Sequence, residues 1–267
     1  MKFRFPLLAA LAMALYSCSS SDDHVPPVQP ELPAEGSLRV RSITHEGSLP
    51  YVYDWKLNYN ANYLVSAEGN LVGDVENKYR STLSYTPEGV TISNYQGPKM
   101  EAIMDADGNI VQLTVNMDVY NFSYTDGYLT SWSKVVRDMN FGGNVSSASG
   151  KLSYNSGNLV RIEYIENEGT PTIVTLTPST TLNKNGLLPV TLSMQMGCFG
   201  FEHLYYGGML GKPSKHLVKR VQVDSSKGSA SDYVIDYLYS TSNETGNTDL
   251  CVVTYQGKVA TAIYRYK

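Results

Sequence analysis

The stretch Asp105-Ala-Asp-Gly-Asn109 sets two carboxylates and an amide around a glycine, an oxygen-rich pattern that could hold calcium. An EF-hand loop places its glycine sixth and a bidentate glutamate twelfth. Here Gly108 is fourth and the twelfth position is Asn116, so a tight turn accounts for every residue without a metal. Four histidines occur, His24, His45, His203 and His216, and none has the His/His or Cys/His spacing of a zinc site. Glu202-His203 and Lys215-His216 are acid–base-capable pairs that a fold could bring together, although a structural role is the plainer expectation. There is no Gly-x-Ser-x-Gly, no phosphate loop and no dinucleotide fingerprint. A glycosidase needs two carboxylates ~5–10 Å apart, and acids such as Asp74, Glu88, Asp126, Glu168 and Asp224 are dispersed over turns and loops. No catalytic residue, cofactor or metal ligand is therefore expected, and an enzyme is not the leading reading.

The clearest chemistry is at the N-terminus. Lys2 and Arg4 precede an apolar run, Leu7 to Leu15, that is too short to span a bilayer, as in a secretory signal peptide. Leu15-Tyr-Ser-Cys18 resembles a bacterial lipobox, which makes Cys18 the lipidation site and residues 1–17 the signal. Asp22 and Asp23 follow closely and look like the surface-export signal of Bacteroidota lipoproteins. The implied partner is a membrane reached through a lipid, with the protein at the outer membrane facing the cell exterior. Residues 18–36 form a Pro/Ser-rich tether with no aromatic side chain, and 37–267 a single folded domain. The net charge of −4 disfavours a nucleic-acid partner. Cys198 and Cys251 share a compartment where a disulfide is permitted, and equally suit two buried thiols.

The elements that carry these residues are announced by a repeated phrase. Tyr59-Asn-Ala-Asn-Tyr-Leu64, Tyr85-Thr-Pro-Glu-Gly-Val90, Asp105-Ala-Asp-Gly-Asn-Ile110, Tyr124-Thr-Asp-Gly-Tyr-Leu129, Tyr154-Asn-Ser-Gly-Asn-Leu159, Asn183-Lys-Asn-Gly-Leu-Leu188 and the shorter Tyr255-Gln-Gly-Lys-Val259 say nearly the same thing. Period-2 segments flank them, such as Tyr120, Phe122, Tyr124 and Val160, Ile162, Tyr164, which marks strands with one buried face. The glycines, and Asn62 in the first phrase, supply the positive φ of hairpin turns. The fold class is all-β: consecutive antiparallel β-hairpins forming a curved sheet or an open or partly closed barrel. Arg137 to Gly150 reads as an inserted loop. Phe201 to Val223 breaks the rhythm and reads as a cap holding a short helical turn that ends near Gly207 or Gly211, with Leu204, Met209 and Leu210 inward. Tyr205 and Tyr206 are its candidate ligand contacts. Tyrosine outnumbers phenylalanine 21 to 6, which suits half-buried pleated faces and also stacking on a ligand.

The hairpin phrase resembles the tyrosine–aspartate repeats of Rhs-type proteins. Together with Cys18 and Leu204 to Val221, it more closely resembles Bacteroidota lipoproteins of domain-of-unknown-function family 4595. The resemblance implies a curved antiparallel sheet and supplies no catalytic residue. The leading function is a non-enzymatic surface binding or scaffold module with a glycan or protein ligand. The alternatives are a carbohydrate-active hydrolase and a structural subunit of an outer-membrane assembly. Cys18→Ala should abolish labelling by a fatty-acid analogue and release the protein from membranes; a mutant that still labels and sediments with outer membrane refutes the lipobox.

Overall fold

The computed structural model describes residues 38–47, 49, 51–61, 63–73, 78–87, 89–95, 99–137, 144–167 and 169–267. Cys18, the tether with His24, and Asn62 lie outside the described residues. The strands are β1 (Val40–Gly47), β2 (Tyr53–Asn60), β3 (Tyr63–Leu71), β4 (Lys78–Thr86), β5 (Gly89–Tyr95), β6 (Met100–Met104), β7 (Ile110–Val115) and β8 (Asp118–Thr125). They continue as β9 (Tyr128–Arg137), β10 (Asn144–Asn155), β11 (Asn158–Glu166), β12 (Thr172–Leu182), β13 (His216–Asp224), β14 (Tyr233–Thr241), β15 (Thr248–Tyr255) and β16 (Lys258–Tyr266). Each pairs antiparallel with its chain neighbours, and β1 closes on β16 from Val40–Tyr266 to Gly47–Ala260. The string of hairpins is as the sequence announces; its sheet closes completely.

Alternation decides which face is which. In β2, Tyr53, Trp55, Leu57 and Tyr59 are buried while Lys56, Asn58 and Asn60 are exposed. β13 buries Leu217, Val221 and Val223 and exposes Arg220, Gln222 and Asp224. The apolar face is the inside of the barrel. Successive positive φ values at Asp126 (53°) and Gly127 (79°), Ser156 (51°) and Gly157 (78°), and Gln256 (48°) and Gly257 (73°) are those of the primed turns that match strand twist.

Because two strands make one repeat, the phrases up to residue 186 all fall at one rim, called here the tip rim. The turns at 116–117 and 256–257 and the connection 225–232 are at the opposite rim. β1 starts at the tip rim, beside the end of β16.

Three sequence expectations change, and of the two open readings of Cys198 and Cys251 one is found. Gly89 is the first residue of β5 rather than a turn glycine; a Cβ there would stand 2.1 Å from the carbonyl oxygen of Ala102 on β6. The loop expected over Arg137–Gly150 is mostly strand, since β9 runs to Arg137 and β10 starts at Asn144. Cys198 and Cys251 are separate buried thiols. Asn183–Leu188 is no hairpin: the chain leaves the wall after Leu182 and returns only at His216, so the irregular segment is 183–215 rather than 201–223. Asn183 turns it inward, accepting the Leu187 N–H at 2.7 Å and donating to the Leu187 carbonyl at 3.0 Å.

Gly127→Val should lower stability by about 1–3 kcal/mol, because a β-branched residue is forced to positive φ. Urea unfolding checks it, and an unchanged midpoint would contradict the turn assignment.

Candidate functional site

The segment 183–215 is a plug. It enters at the tip rim, reaches the opposite rim around Met194–Phe199, and returns through the short helix α1 (Glu202–Tyr206) to the tip rim. Leu192, Leu204, Met209 and Leu210 are at most 1 % exposed, so the inward residues expected of a cap are inward. The wall fixes the plug through its own polar handles. The Trp132 indole donates to the Gln195 carbonyl (2.9 Å) and the Tyr237 hydroxyl to the Val190 carbonyl (2.8 Å). The Tyr59 hydroxyl donates to the Tyr206 carbonyl (3.3 Å).

The returning strand of the plug runs along three successive hairpin tips. The Met209 carbonyl accepts the Ile110 N–H (2.8 Å), the Lys212 N–H donates to Gly127 (2.7 Å), and the Lys215 N–H donates to Gly157 (2.9 Å). The three-residue spacing has a geometric origin: three extended residues span ~10 Å, and so do two strand spacings of ~4.8 Å. Gly211 (φ 82°) lies against the tip, where a Cβ would stand 2.8 Å from the Gly127 carbonyl oxygen. The phrase tyrosines join the repeats. The Tyr85 hydroxyl donates to Leu64 (2.9 Å) and that of Tyr124 to Ile110 (2.7 Å), each reaching the residue that ends the preceding phrase.

The sequence-selected residues fall as follows. Tyr205 and Tyr206 meet edge to face (centroids 5.6 Å) inside the barrel, Tyr205 buried and Tyr206 half-buried, with burial raising both hydroxyl pKa values. Tyr205 packs the plug, and Tyr206, partly covered, lines the small cavity that also holds Glu202. Glu202 and His203 face the β2 side, where His203 stacks on Trp55 (4.7 Å). Lys215 and His216 are across the barrel at β11; His216 Nδ1 and N–H both engage Asn158 Oδ1 (3.0 and 2.9 Å). The two pairs do not converge. His45 is held by Asp54, through its N–H at 2.8 Å and Nδ1 at 3.0 Å. Asp105 spends its carboxylate on the N–H groups of Asp107 (3.0 Å) and Asn109 (2.8 Å), a turn cap rather than a calcium site. No cluster of metal-ligating side chains occurs among the described residues.

One hollow was not anticipated. On the inner wall near the rim opposite the tips, Trp132, Gly150 and Tyr164 stand side by side on β9, β10 and β11, and the next row is Lys134, Ala148 and Glu166. The indole lies over Gly150, where a Cβ would fall 2.1 Å from its nitrogen. The indole fills the space over Gly150, and the next small residue of β10, Ala148, borders a cavity of about 260 Å³, closed on the plug side by Met194, Gly197 and Phe199 and flanked by Tyr120. The sequence signal was a glycine pairing across from each tryptophan, Gly69 with Trp55 and Gly150 with Trp132, which needs the register to be visible.

Residues 55–248 match the family described as a domain of unknown function (DUF4595) with porin-like fold. The chain belongs to this family. A porin-like protein from Bacteroides uniformis superposes with a TM-score of 0.67 at 19 % identity, covering 91 % of this chain and all of its own. A porin-like protein from Bacteroides vulgatus gives 0.59 at 12 % identity, covering 86 % of this chain and 99 % of its own. No curated protein matches. At these identities the neighbours establish the family barrel and nothing of its ligand.

The buried Glu202–His203 pair makes the plug pH-sensitive in two directions. Burial raises the Glu202 pKa from 4.5 to about 7, outweighing Ser193 and Trp55, which favour the ionised form. Its Oε2 nevertheless makes no hydrogen bond of normal geometry. Burial lowers His203 from 6.5 to about 3, and neither ring nitrogen has a partner. The stability of neutral Glu202 is full below 4.5 and lost as pH rises to about 7. That of neutral His203 is full above 6.5 and lost as pH falls toward 3. Glu202→Gln should therefore gain on the wild type as pH rises from 4.5 through 7, by up to about 3 kcal/mol. Denaturant midpoints across that range test it; a pH-independent difference would mean that Glu202 is ionised throughout.

Proposed function

We propose that the protein is a lipid-tethered, non-enzymatic binding or scaffold module displayed at the outer membrane, and that its barrel neither spans the bilayer nor conducts. The observation that carries this reading is the polarity of the wall. A membrane-spanning barrel is apolar outside and polar within; this one has the opposite arrangement. Lys56, Glu68 and Arg80 form one outward row across β2–β4, with Arg80 bonded to Glu68 at 2.8 Å. Arg220 grips Asp236 with both arms (2.7 and 3.0 Å) on β13–β14. Charges at mid-wall cost ~2–4 kcal/mol each for Lys or Arg facing lipid at the midplane. Exposed apolar side chains such as Ile103, Val234, Leu238 and Val259 are scattered over the wall, and the outward row of Val259 continues through Thr254 to Asp236. Membrane attachment then falls to Cys18.

The hydrolase alternative asks for two facing carboxylates. Glu202 lines a small cavity with His45, Thr191 and Ser193 and no second carboxylate; Asp54 and Glu68 line another hollow together, but Asp54 is engaged by His45 (3.0 Å) and Glu68 by Arg80 (2.8 Å), which supports binding over hydrolysis.

The domain from residue 37 onward, made without signal and Cys18, should stay in the aqueous phase on detergent phase separation and produce no conductance steps in planar bilayers. Partition into detergent without lipidation would overturn the reading.

A further inference from the structure

The hollow beside Ala148 has the attributes of a site for one neutral, hydroxyl-bearing ring, and we infer that it binds a single sugar residue, such as a terminal pyranose of a glycan. The inference rests on the binding-module reading above and gives it a ligand class and a place.

Three features select this chemistry. The walls are aromatic: Tyr164 and Tyr120 line the barrel side, Phe199 closes the plug side, and the Trp132 indole, packed between Gly150 and Gly197 and 5.9 Å from Tyr164, backs the site with its edge rather than a free face. Such surfaces take the C–H face of a sugar ring, as they take other rings, by apolar contact. The rim carries hydrogen-bonding groups of both signs, Lys134 and Glu166, in the row beside the rings. Both charges are already engaged. The Lys134 ammonium is 2.8 Å from Asp118 and 5.3 Å from the Tyr120 ring centre, and Glu166 accepts the Tyr164 hydroxyl. An ionic ligand would have to displace one of these pairings, whereas hydroxyls can share them. The volume, about 260 Å³, falls just under the ~300–1,000 Å³ of ordinary ligand pockets, which suits one ring and excludes a longer segment.

The protein has two tryptophans, and they sit on β2 and β9, well apart around the wall. Their indole N–H resonances therefore report two separate places. The test titrates the folded domain with methyl glycosides of glucose, galactose, mannose and N-acetylglucosamine at millimolar concentration. A saturable shift confined to the Trp132 resonance is expected for at least one glycoside. Ala148→Leu, which fills the hollow without removing a contact, and Tyr164→Ala, which removes a wall, should each weaken it about tenfold or more, ~1.4 kcal/mol. Thermal midpoints are measured alongside, and a variant whose folded spectrum persists while the shift vanishes carries the inference. No shift with any glycoside, a shift at Trp55 alone, or equal affinity in a folded Ala148→Leu variant would overturn it. None of those results touches the display reading, which stands or falls on release of the Cys18→Ala protein and on detergent partition of the domain.

Discussion

A closed barrel of sixteen strands encloses more space than its own side chains can fill. About eight strands is the size at which inward side chains meet across the axis, and barrels of sixteen to eighteen leave an aqueous channel. A chain that builds so wide a wall therefore either keeps its lumen wet and polar or supplies a second element to fill it. Here the inward faces of β2, β13 and their neighbours are apolar, and the chain spends residues 183–215 filling the space between them. The outward polarity follows from that choice, since a wall with its apolar face inward has its charged face to the outside. This chain shares the barrel topology of the family's porin-like description, and carries its apolar face inward and charged side chains outward.

Filling the lumen with a single segment raises the problem of where that segment stops. The wall answers with side chains at separated heights. Trp132 and Tyr237 take carbonyls of the inward limb, and Tyr59 takes one at the end of α1. The three hairpin tips then take the outgoing limb at residues 209, 212 and 215. These contacts give the repeated phrase two roles. Its Gly permits the turn, and the carbonyl of that same Gly, at 127 and 157, is the acceptor for the plug. Its Tyr, at 85 and 124, reaches back to the previous repeat. At the other rim the Tyr255–Val259 phrase keeps the turn chemistry alone, since no plug limb runs along it.

The hairpin string was legible because period-2 patterning and turn glycines are local properties. The short helix before Gly207, and the inward Leu204, Met209 and Leu210, were legible because the segment broke that pattern. What was not legible depends on register or on distance in space. Asn183-Lys-Asn-Gly186 has hairpin chemistry, and Gly186 does adopt positive φ (63°), but no strand follows to pair with β12 until His216. Gly89 looks like a turn residue by composition, and only the approach of β6 reveals that it is needed for close packing. The hollow exists because Gly150 lets the Trp132 indole lie flat on β10 while small Ala148 stands between Lys134 and Glu166 in the next row, an alignment across three strands that needs the register to be visible. Tyr205 and Tyr206 attracted attention as a tyrosine pair in an irregular segment, yet irregularity here marks the inside of the molecule.

The direction of the chain places that hollow at the rim away from both described chain ends. β1 begins at the tip rim and an even number of strands returns the chain to it, where the Lys267 N–H donates to the Arg39 carbonyl (3.1 Å). Strands of eight to ten residues, rising ~3.3 Å each and tilted by ~40°, make the wall roughly 20–25 Å tall. On the proposed anchoring at Cys18, the lipid would join the chain on the side of the tip rim, and the hollow would lie a wall's height farther along the molecule. A barrel whose lumen is full and whose wall is charged has its rims left for recognition, and the hollow is at the rim that the chain ends leave free.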